Sequence, residues 1–271
     1  MRRATLVTAV GQPCLMAFDR ANPRAIEWAR RRSAFLVREV RAETQAAIRR
    51  IIARAIEEGI PPARAAQLIR DVPIGLTRHQ ADAVANLSNK IAEATARAQR
   101  LGRATTVEYG QHLVRVPARV RVVDGQRVIV NHVTRTTRLR VPPGGLPPAR
   151  VASLQLRYAE RLRRLRALTI ARTETITASN QGQIQLWKQA RTSGLLRGTE
   201  RKKWTTTPDD RRCPFCAALD GVTVGLDEQF DGGDFGSVDG PTLHPNCRCA
   251  VVLETEGELL RRAIREVRDA G

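Results

Sequence analysis

Two short groups of metal-binding side chains near the carboxy terminus constrain this chain more than any other feature. The first is Cys213-Pro-Phe-Cys216, and the second is His244-Pro-Asn-Cys247-Arg-Cys249. Thiolate and imidazole are the ligands that zinc prefers, and two short knuckles joined by a longer loop let four of them converge tetrahedrally. The sequence therefore predicts a structural Zn²⁺ site with four ligands drawn from five candidates, Cys213, Cys216, His244, Cys247 and Cys249.

The choice among these five residues stays open at the level of sequence. Cys247 and Cys249 lie two residues apart, so both side chains leave the same face if they open a strand, and either thiol can complete the metal shell. Four protein ligands leave no position for water, so we expect the ion to stabilise the fold rather than to catalyse a reaction. Five cysteines cannot all pair in disulfides, and Cys14 is expected to be an inert thiol.

The charge of the chain changes sign at about residue 203. Residues 1–203 contain 39 basic and 14 acidic side chains, whereas residues 204–271 contain 7 basic and 13 acidic ones. A strongly basic body attracts a polyanion such as nucleic acid, and the acidic remainder is left for another partner. The sequence has no zinc-finger, homeodomain or RNP pattern, so we expect contact with DNA phosphates that does not depend on base sequence.

Helical patterns dominate the first hundred residues. Asn22-Pro23 is a helix start, and apolar residues then recur at helical spacing until Gly59 and two prolines end the pattern. A short helix is predicted over residues 63–71. Thr77-Arg-His-Gln80 is a capping box, and it predicts a helix that runs to about residue 100.

The periodicity changes at about residue 105. Valines alternate with polar residues on either side of Asp124-Gly125, a strong two-residue hairpin signal, so the sequence predicts a β-ribbon. Its arginines are expected to contact a phosphate backbone, although a solvated strand face explains them equally well. The candidate nucleic-acid residues are Arg115, Arg119, Arg121, Arg127, Arg135, Arg138 and Arg140.

A Pro/Gly-rich linker at residues 142–148 precedes a second helical region. It is predicted to run from about residue 150 to Thr192, either without interruption or with one break, and to stop at Ser193-Gly194. A polar network is expected along one side of this helix, on the stripe Ile170, Glu174, Ala178, Gln181 and Gln185. Short strands and turns follow around the cysteines, and a charged helix is predicted over residues 256–270.

Together these patterns predict an α+β fold with an elongated, mainly α-helical N-terminal part, a β-ribbon insertion and a small zinc-stapled C-terminal α/β module. The predicted segments are residues 1–100, 101–149 and 150–271. No membrane partner is expected, because the apolar stretch of residues 4–10 is cut by Gly11-Gln-Pro13 and is too short to span a bilayer.

Seven motifs occur in a fixed order along the second half of the chain. They are Ile170-Ala-Arg-Thr-Glu-Thr175, Asn180-Gln-Gly182, Trp204, Asp209-Asp210, Cys213-Pro-Phe-Cys216, Leu219-Asp-Gly221 and His244-Pro-Asn-Cys-Arg-Cys249. In these motifs the chain resembles the Mu F-like minor head proteins of tailed bacteriophages, also called head morphogenesis proteins. The resemblance covers residues 150–253, extends more loosely over residues 22–100, and does not include the ribbon.

The resemblance implies a bacteriophage minor capsid protein, made in the host cytoplasm and placed in the virion, inside the capsid near the portal vertex. It implies a structural role in head assembly, DNA packaging or ejection, without enzymatic activity. The expected partners are the portal protein and other head proteins, together with DNA, with several copies allowed per virion. Within this scheme residues 204–253 bind portal or another head protein, the basic part faces DNA, and Arg172 pairs with Glu174 to fix the helix against the module.

Three other functions fit parts of the sequence. A zinc-stapled nuclease of the HNH kind requires a histidine base beside a catalytic metal, but the module's sole histidine already belongs to the structural site; Asp209 and Asp210 are the carboxylates to test. A sequence-independent DNA-binding protein would explain the charge alone. An ADP-ribosyltransferase-like domain rests on one tripeptide, Glu254-Thr-Glu256.

Overall fold

The computed structural model describes residues 4–7, 13–16, 26, 42–123, 126–209, 211–255 and 257, with side chains omitted in the first two ranges and over much of 112–133. Helices and sheets are mixed, which confirms the α+β class. The helices are α1 (Ala42–Glu57), α2 (Pro62–Arg70), α3 (Arg78–Leu101), α4 (Pro148–Thr192) and α5 (Pro214–Leu219). The strands are β1 (Ala4–Val7), β2 (Pro13–Met16), β3 (Thr105–Val123), β4 (Gln126–Val141), β5 (Arg201–Thr205), β6 (Thr223–Gly225), β7 (Phe230–Asp231), β8 (Ser237–Val238) and β9 (Ala250–Glu254).

The described residues form two compact units. The first unit draws on residues 1–72, 168–207 and 212–271, and the second on residues 73–167 and 208–211. Helix α4 contributes to both, its residues up to 167 to the second unit and the rest to the first. The predicted division into residues 1–100, 101–149 and 150–271 stays a prediction.

In the first unit, α1 and α2 form where the sequence predicts helices. The end of α1 is confirmed: Gly59 has a φ of 68°, and the Ile60 amide donates to the Ala55 carbonyl at 2.8 Å, which closes the last turn. Ile48 and Ile52 on its inner face are fully buried. The predicted start of this helix, at Asn22, lies outside the described residues.

The second unit begins with α3, whose predicted capping box is confirmed. The Gln80 amide donates to Thr77 Oγ1 at 3.2 Å, and the Thr77 amide donates to Gln80 Oε1 at 3.0 Å. Gly102 ends the helix in the left-handed conformation with a φ of 60°. The core of this unit joins α3 to the base of the ribbon and to α4, through Leu87, Ile91, Ala94, Val107, Val141 and Leu154.

Strands β3 and β4 form the predicted ribbon. They pair antiparallel from Thr105 opposite Val141 to Val123 opposite Gln126, so two residues connect them. The register shifts at Gly110, which has a φ of 61° and lies against the Tyr158 ring; a Cβ there would come within 3.0 Å of that ring. Glycine is therefore required for both the backbone conformation and the close approach.

Helix α4 begins at Pro148 and ends at Thr192, which confirms the predicted linker and the predicted stop. Gly194 adopts a φ of 70°, and the Leu195 amide donates to the Ala190 carbonyl at 2.9 Å, as in a glycine-terminated helix. The helix predicted over residues 256–270 lies outside the described residues, apart from residue 257. Cys14 lies in β2, opposite Leu6 of β1, and its side chain is outside the described set.

The carboxy-terminal part of the first unit consists of short strands. β5 lies between β6 and β9 in an antiparallel sheet, and β7 pairs with β8 in a separate hairpin. Two hydrophobic clusters support it. One contains Ile184, Trp187, Ala190, Leu196, Leu226 and Val251. The other contains Trp204, Cys216, Leu219, Phe230, Leu243, Cys247 and Cys249, so the cysteines are part of the core.

None of the helices in the described ranges combines the length and apolar character that crossing a bilayer requires.

Replacing Thr77 with alanine is expected to cost about 1 kcal/mol of local helix stability, because the Gln80 amide loses its acceptor, Thr77 Oγ1. Amide hydrogen exchange in the first turn of α3 measures this loss. Ser88→Ala is the matched control, because Ser88 is partly exposed in the middle of the same helix and alanine has the higher helix propensity there. Equal exchange in the two variants would contradict a stabilising role for the capping box.

Candidate metal centre

The first metal knuckle is built by the start of α5. Cys213 is the N-cap residue, and its sulfur accepts a hydrogen bond from the Cys216 amide at 3.3 Å. Pro214 takes the first helical position, where a missing amide costs nothing. The turn brings the Cys213 and Cys216 sulfurs to one end of the short helix, with Cys213 partly exposed and Cys216 buried.

The second knuckle is a tight turn between His244 and Cys247. The Cys247 amide donates to the His244 carbonyl at 3.1 Å, and Asn246 adopts a φ of 62° that asparagine tolerates. His244 Nδ1 lies 2.9 Å from the Pro245 carbonyl oxygen, which can only accept, so Nδ1 carries the proton. In the neutral ring, Nε2 therefore presents a lone pair, as in metal-binding histidines.

The distances between the two knuckles suit a tetrahedral ion. His244 Nε2 lies 3.1 Å from the Cys213 sulfur and 3.2 Å from the Cys216 sulfur, and the sulfurs of Cys216 and Cys247 are 3.7 Å apart. Zinc bond lengths place tetrahedral ligands at about 3.8 Å between sulfurs and about 3.6 Å between sulfur and nitrogen. The separation between the sulfurs matches this geometry. The contacts between sulfur and nitrogen are shorter than the tetrahedral distance, so these ligands would move slightly apart to accommodate an ion.

All five predicted ligands gather at this place. The atoms of Cys213, Cys216 and His244 lie within 4.8 Å of one another, as do those of Cys216, Cys247 and Cys249, and Cys216 belongs to both groups. The cluster can therefore hold a metal ion, with Cys216 at its centre. Proximity alone leaves the choice between Cys247 and Cys249 open, as the sequence does.

The protein environment favours one thiolate in the cluster. The pKa of Cys247 falls to about 5, first because the Cys249 thiol donates a hydrogen bond to its sulfur. The same bond raises the pKa of Cys249, and burial raises that of Cys216 to about 12. A metal ion would have to displace protons from the remaining thiols, which couples its binding to pH.

Trp204 belongs to the same hydrophobic cluster as Cys216, Cys247 and Cys249. Its side chain has no exposed surface, and its Nε1–H makes no regular hydrogen bond to the described residues. This N–H interacts with the Cys249 sulfur, and the interaction lowers the pKa of Cys249 against the larger effects that raise it. The sulfur of Cys249 is thus engaged by an indole as well as by Cys247.

Helix α4 holds the second knuckle through its threonines. The Asn246 amide donates to Thr173 Oγ1 at 2.9 Å, and Asn246 Nδ2 donates to Thr169 Oγ1 at 3.3 Å. Thr169 and Thr173 are four residues apart and therefore lie on one face of the helix. These bonds fix the left-handed asparagine and, with it, the turn that carries His244 and Cys247.

Asn180 holds the strand that leaves the cluster. Its Nδ2 donates to the Cys249 carbonyl at 3.2 Å, and its Oδ1 accepts from the Val251 amide at 3.0 Å. Asn180 is 7% exposed, so both backbone groups are satisfied inside the protein by one side chain. This contact connects the asparagine motif of α4 with the last cysteine of the second knuckle.

Two further contacts bring α4 against the loop before the second knuckle. Thr177 donates to the Thr173 carbonyl at 2.8 Å and lies 2.6 Å from Thr242 Oγ1, so the Thr242 hydroxyl is the donor in that pair. Gly240 packs against Ile184, where a Cβ would come within 2.8 Å of Ile184 Cδ1. The loop thus approaches the helix more closely than a larger residue allows.

The stripe of α4 that contacts the knuckles differs from the one that the sequence predicts. The predicted polar stripe runs through Glu174 and Gln181, whereas the contacts come from Thr169, Thr173, Thr177 and Asn180 on the adjacent line of the helix. Threonines at a spacing of four were the available signal. Glu174 is 2% exposed and Arg172 is partly buried, and the pairing of these two residues stays a prediction.

The ribbon arginines divide between two faces. Arg138 and Arg140 lie an even number of residues apart on β4, and Arg119 pairs with Val130, so these three exposed residues share a face. Arg135, also exposed, lies on the opposite face. The side chains of Arg115, Arg121 and Arg127 lie outside the described set.

The carboxylates that alternative functions would need have structural partners. Asp209 Oδ1 accepts from the Arg211 amide at 3.0 Å, and its other oxygen lies 3.5 Å from the Arg211 guanidinium. Glu254 is 3% exposed and pairs with Lys203 Nζ at 2.7 Å. Asp210 and Glu256 lie outside the described residues.

A helix-anchored pair of cysteine and histidine knuckles defines the carboxy-terminal part of this chain as a small module that could hold a metal ion. Residues 149–252 match the family described as Phage Mu protein F like protein. The match agrees with the resemblance that the ordered motifs carry, and it suggests a phage head protein. No curated protein and no solved structure is significantly similar to the chain.

Replacing Asn180 with alanine is expected to lower the free energy of unfolding by about 2 to 3 kcal/mol, because a buried amide and a buried carbonyl lose their partner. Denaturant unfolding followed by tryptophan fluorescence measures this change. Ser179→Ala is the control, because Ser179 is the exposed neighbour in the same helix and is expected to change stability by less than about 0.5 kcal/mol. Equal stability of the two variants would show that Asn180 does not anchor the module.

Proposed function

We propose that this chain is a structural component of a phage head, located inside the capsid near the portal vertex, with no enzymatic activity of its own. The observation that carries the proposal is the knuckle cluster, which α4 holds in place within the segment that matches the family. The metal-stapled module binds the portal protein or another head protein, and the arginine-rich ribbon binds DNA. In this role the protein assists head assembly, packaging or ejection.

The ion in the module is Zn²⁺, and its ligands are Cys213, Cys216, His244 and Cys247. These four residues form one C-x-x-C and one H-x-x-C knuckle. The Cys216 amide closes the first by donating to the Cys213 sulfur, and the Cys247 amide closes the second by donating to the His244 carbonyl. Cys249 is not a ligand in this proposal. Its thiol instead donates a hydrogen bond to the Cys247 sulfur and interacts with Trp204. The bound ion supplies a rigid link between the two knuckles.

Serine at Cys247 is expected to abolish stoichiometric zinc, whereas serine at Cys249 is expected to retain one ion per chain with weaker affinity. The reason is that position 247 supplies a ligand and position 249 only supports one. Elemental analysis of reduced, purified protein measures the stoichiometry, and competition with a chelator measures the affinity. If only the Cys249 variant lost its zinc, Cys249 would be the ligand and Cys247 the supporting residue, which would contradict the assignment.

The DNA contact is assigned to the ribbon face with Arg119, Arg138 and Arg140. Arg138 also pairs with Glu108 at 2.8 Å, but both partners are largely exposed, so the pair contributes little and leaves the guanidinium accessible. Exposed arginines spaced along one face suit contact with successive phosphates, without recognition of bases.

Replacing Arg119, Arg138 and Arg140 with glutamine is expected to weaken binding to duplex DNA and to reduce the slope of log affinity against log salt. Each lost phosphate contact lowers that slope by about 0.9. Fluorescence anisotropy over a range of salt concentrations measures it. Arg135→Gln, on the opposite face, is the matched control. If it reduced the salt slope as much as each arginine of the triple variant does, the assignment of DNA binding to one face would be wrong.

The proposed head function is tested by purifying the full-length chain with the portal protein of the same phage. A stable complex that is lost when Cys213 and Cys216 are both changed to serine is the expected result, because the docking module loses its metal. Absence of any complex with the parent chain would overturn the proposal. Plasmid nicking with magnesium or manganese, absent in the parent chain, separates this role from a nuclease, for which Asp209→Ala and Asp210→Ala are the variants to compare.

A further inference from the structure

Two phenylalanines are exposed beside the knuckle cluster. Phe215 is 48% exposed and Phe235 is 43% exposed, and their ring centroids lie 5.2 Å apart at an angle of 82°. The Phe235 ring is also 6.2 Å from the imidazole of His244. The two side chains, called the aromatic patch below, form one continuous apolar surface next to a candidate metal ligand.

The metal-binding fold positions both members of the aromatic patch. Phe215 lies inside the first knuckle, between Cys213 and Cys216, so its position depends on the turn that those two residues close. Its partner comes from a different segment, the helical turn Gly233–Phe235 at the tip of the β7–β8 hairpin. A patch assembled from two segments requires both to be held in place.

The loop that carries Phe235 is held by its own hydrogen bonds. The Gly232 amide donates to the Gly236 carbonyl at 2.9 Å, and Asp231 Oδ1 accepts from the Gly233 amide at 2.9 Å. A Cβ on Gly232 would lie 2.5 Å from the Gly236 carbonyl oxygen, so only glycine fits there. The exposed ring therefore projects from a closed, ordered loop, which lowers the entropy that binding would cost.

An exposed pair of aromatic rings is typical of an interaction surface. Aromatic side chains are enriched at the centres of protein interfaces, where they contribute a large contact area with few rotatable bonds. Both rings here face solvent over nearly half of their surface while touching each other. Binding a partner would remove this exposed apolar area from water, which favours association.

The charge around the aromatic patch selects the kind of partner. Residues 204–255 contain nine acidic and three basic side chains. Two of the acidic residues, Asp231 and Asp234, are exposed on the loop of Phe235 itself. This field repels nucleic acid and attracts a cationic partner, and the rings can accept a guanidinium or ammonium group over their faces.

We propose that the aromatic patch is the docking surface of the module, and that it binds a protein segment in which arginine or lysine side chains flank an apolar residue. This inference rests on the proposed docking function and names the surface and the partner chemistry. The apolar residue contacts Phe215 and Phe235, and the cationic groups lie against Asp231 and Asp234. Because Phe215 lies between Cys213 and Cys216, the turn that these two residues close sets the position of its ring.

The test measures the affinity of the zinc-loaded, full-length chain for the portal protein of the same phage by biolayer interferometry. The double substitution Phe215→Ser with Phe235→Ser is expected to weaken binding about tenfold or more. Val252→Ser is the matched control, since Val252 is 38% exposed on β9 of the same module, and it is expected to bind as the parent does. Zinc content and melting temperature of both variants are compared with the parent to establish that each is folded.

Changing the charge tests the chemistry of the partner separately. Asp234→Lys is expected to reduce the affinity, and added salt is expected to weaken binding of the parent chain, because both diminish attraction to a cationic segment. A rise in affinity with Asp234→Lys would show an acidic partner and overturn the proposal.

The remaining outcomes distinguish this inference from the proposed function. If the parent binds portal and the double serine variant binds equally well, the aromatic patch is not the docking surface, although docking itself stands. If neither the parent nor any variant binds portal, the docking function fails and the inference fails with it. If the double variant keeps portal binding and loses affinity for single-stranded DNA, the rings stack on bases, which also overturns the proposal.

Discussion

The convergence of two knuckles on Cys216 is the constraint on which the carboxy-terminal module depends. The described strands of this module have two to five residues each, and its longest helix apart from α4 has six. Elements this short do not supply enough regular hydrogen bonding or apolar burial to define a fold alone. Three of the seven members of its second hydrophobic cluster are Cys216, Cys247 and Cys249, so the candidate metal ligands also serve as core residues.

Helix α4 complements this cluster with polar rather than apolar contacts. Thr173 and Asn180 satisfy backbone groups of a turn and of a strand that have no partner within their own short elements. Such bonds add a modest net stability, but a missing partner would leave buried polar groups unsatisfied at a higher cost. The helix therefore selects one conformation of the second knuckle, which explains why its motif and the cysteine motifs occur together in one family segment.

Local signals in the sequence were sufficient for most of the elements. The capping box at Thr77, the glycine stops at residues 59 and 194, and the hairpin signal at residues 124–125 act within a few residues, so the sequence alone predicts them. The metal candidates were equally clear, because their spacing is itself the signal. All five meet at one place.

The sequence could not predict features that depend on packing between distant segments. The predicted polar stripe of α4 is adjacent to the stripe that contacts the knuckles. Both stripes carry polar residues, and only the fold determines which one faces the module. The proximity of Phe215 and Phe235 was also invisible, since twenty residues separate them and nothing in their local pattern indicates a contact. The opposite faces of Arg135 and Arg138 follow from strand register, which a list of arginines does not contain.

The position of Trp204 gives the module an intrinsic optical reporter. An indole that interacts with the Cys249 sulfur emits with an intensity that depends on whether that sulfur is protonated, ionised or drawn towards an ion, because thiols and thiolates quench tryptophan emission to different extents. Binding of an ion by the cluster would thus be visible as a change in the emission of unlabelled protein.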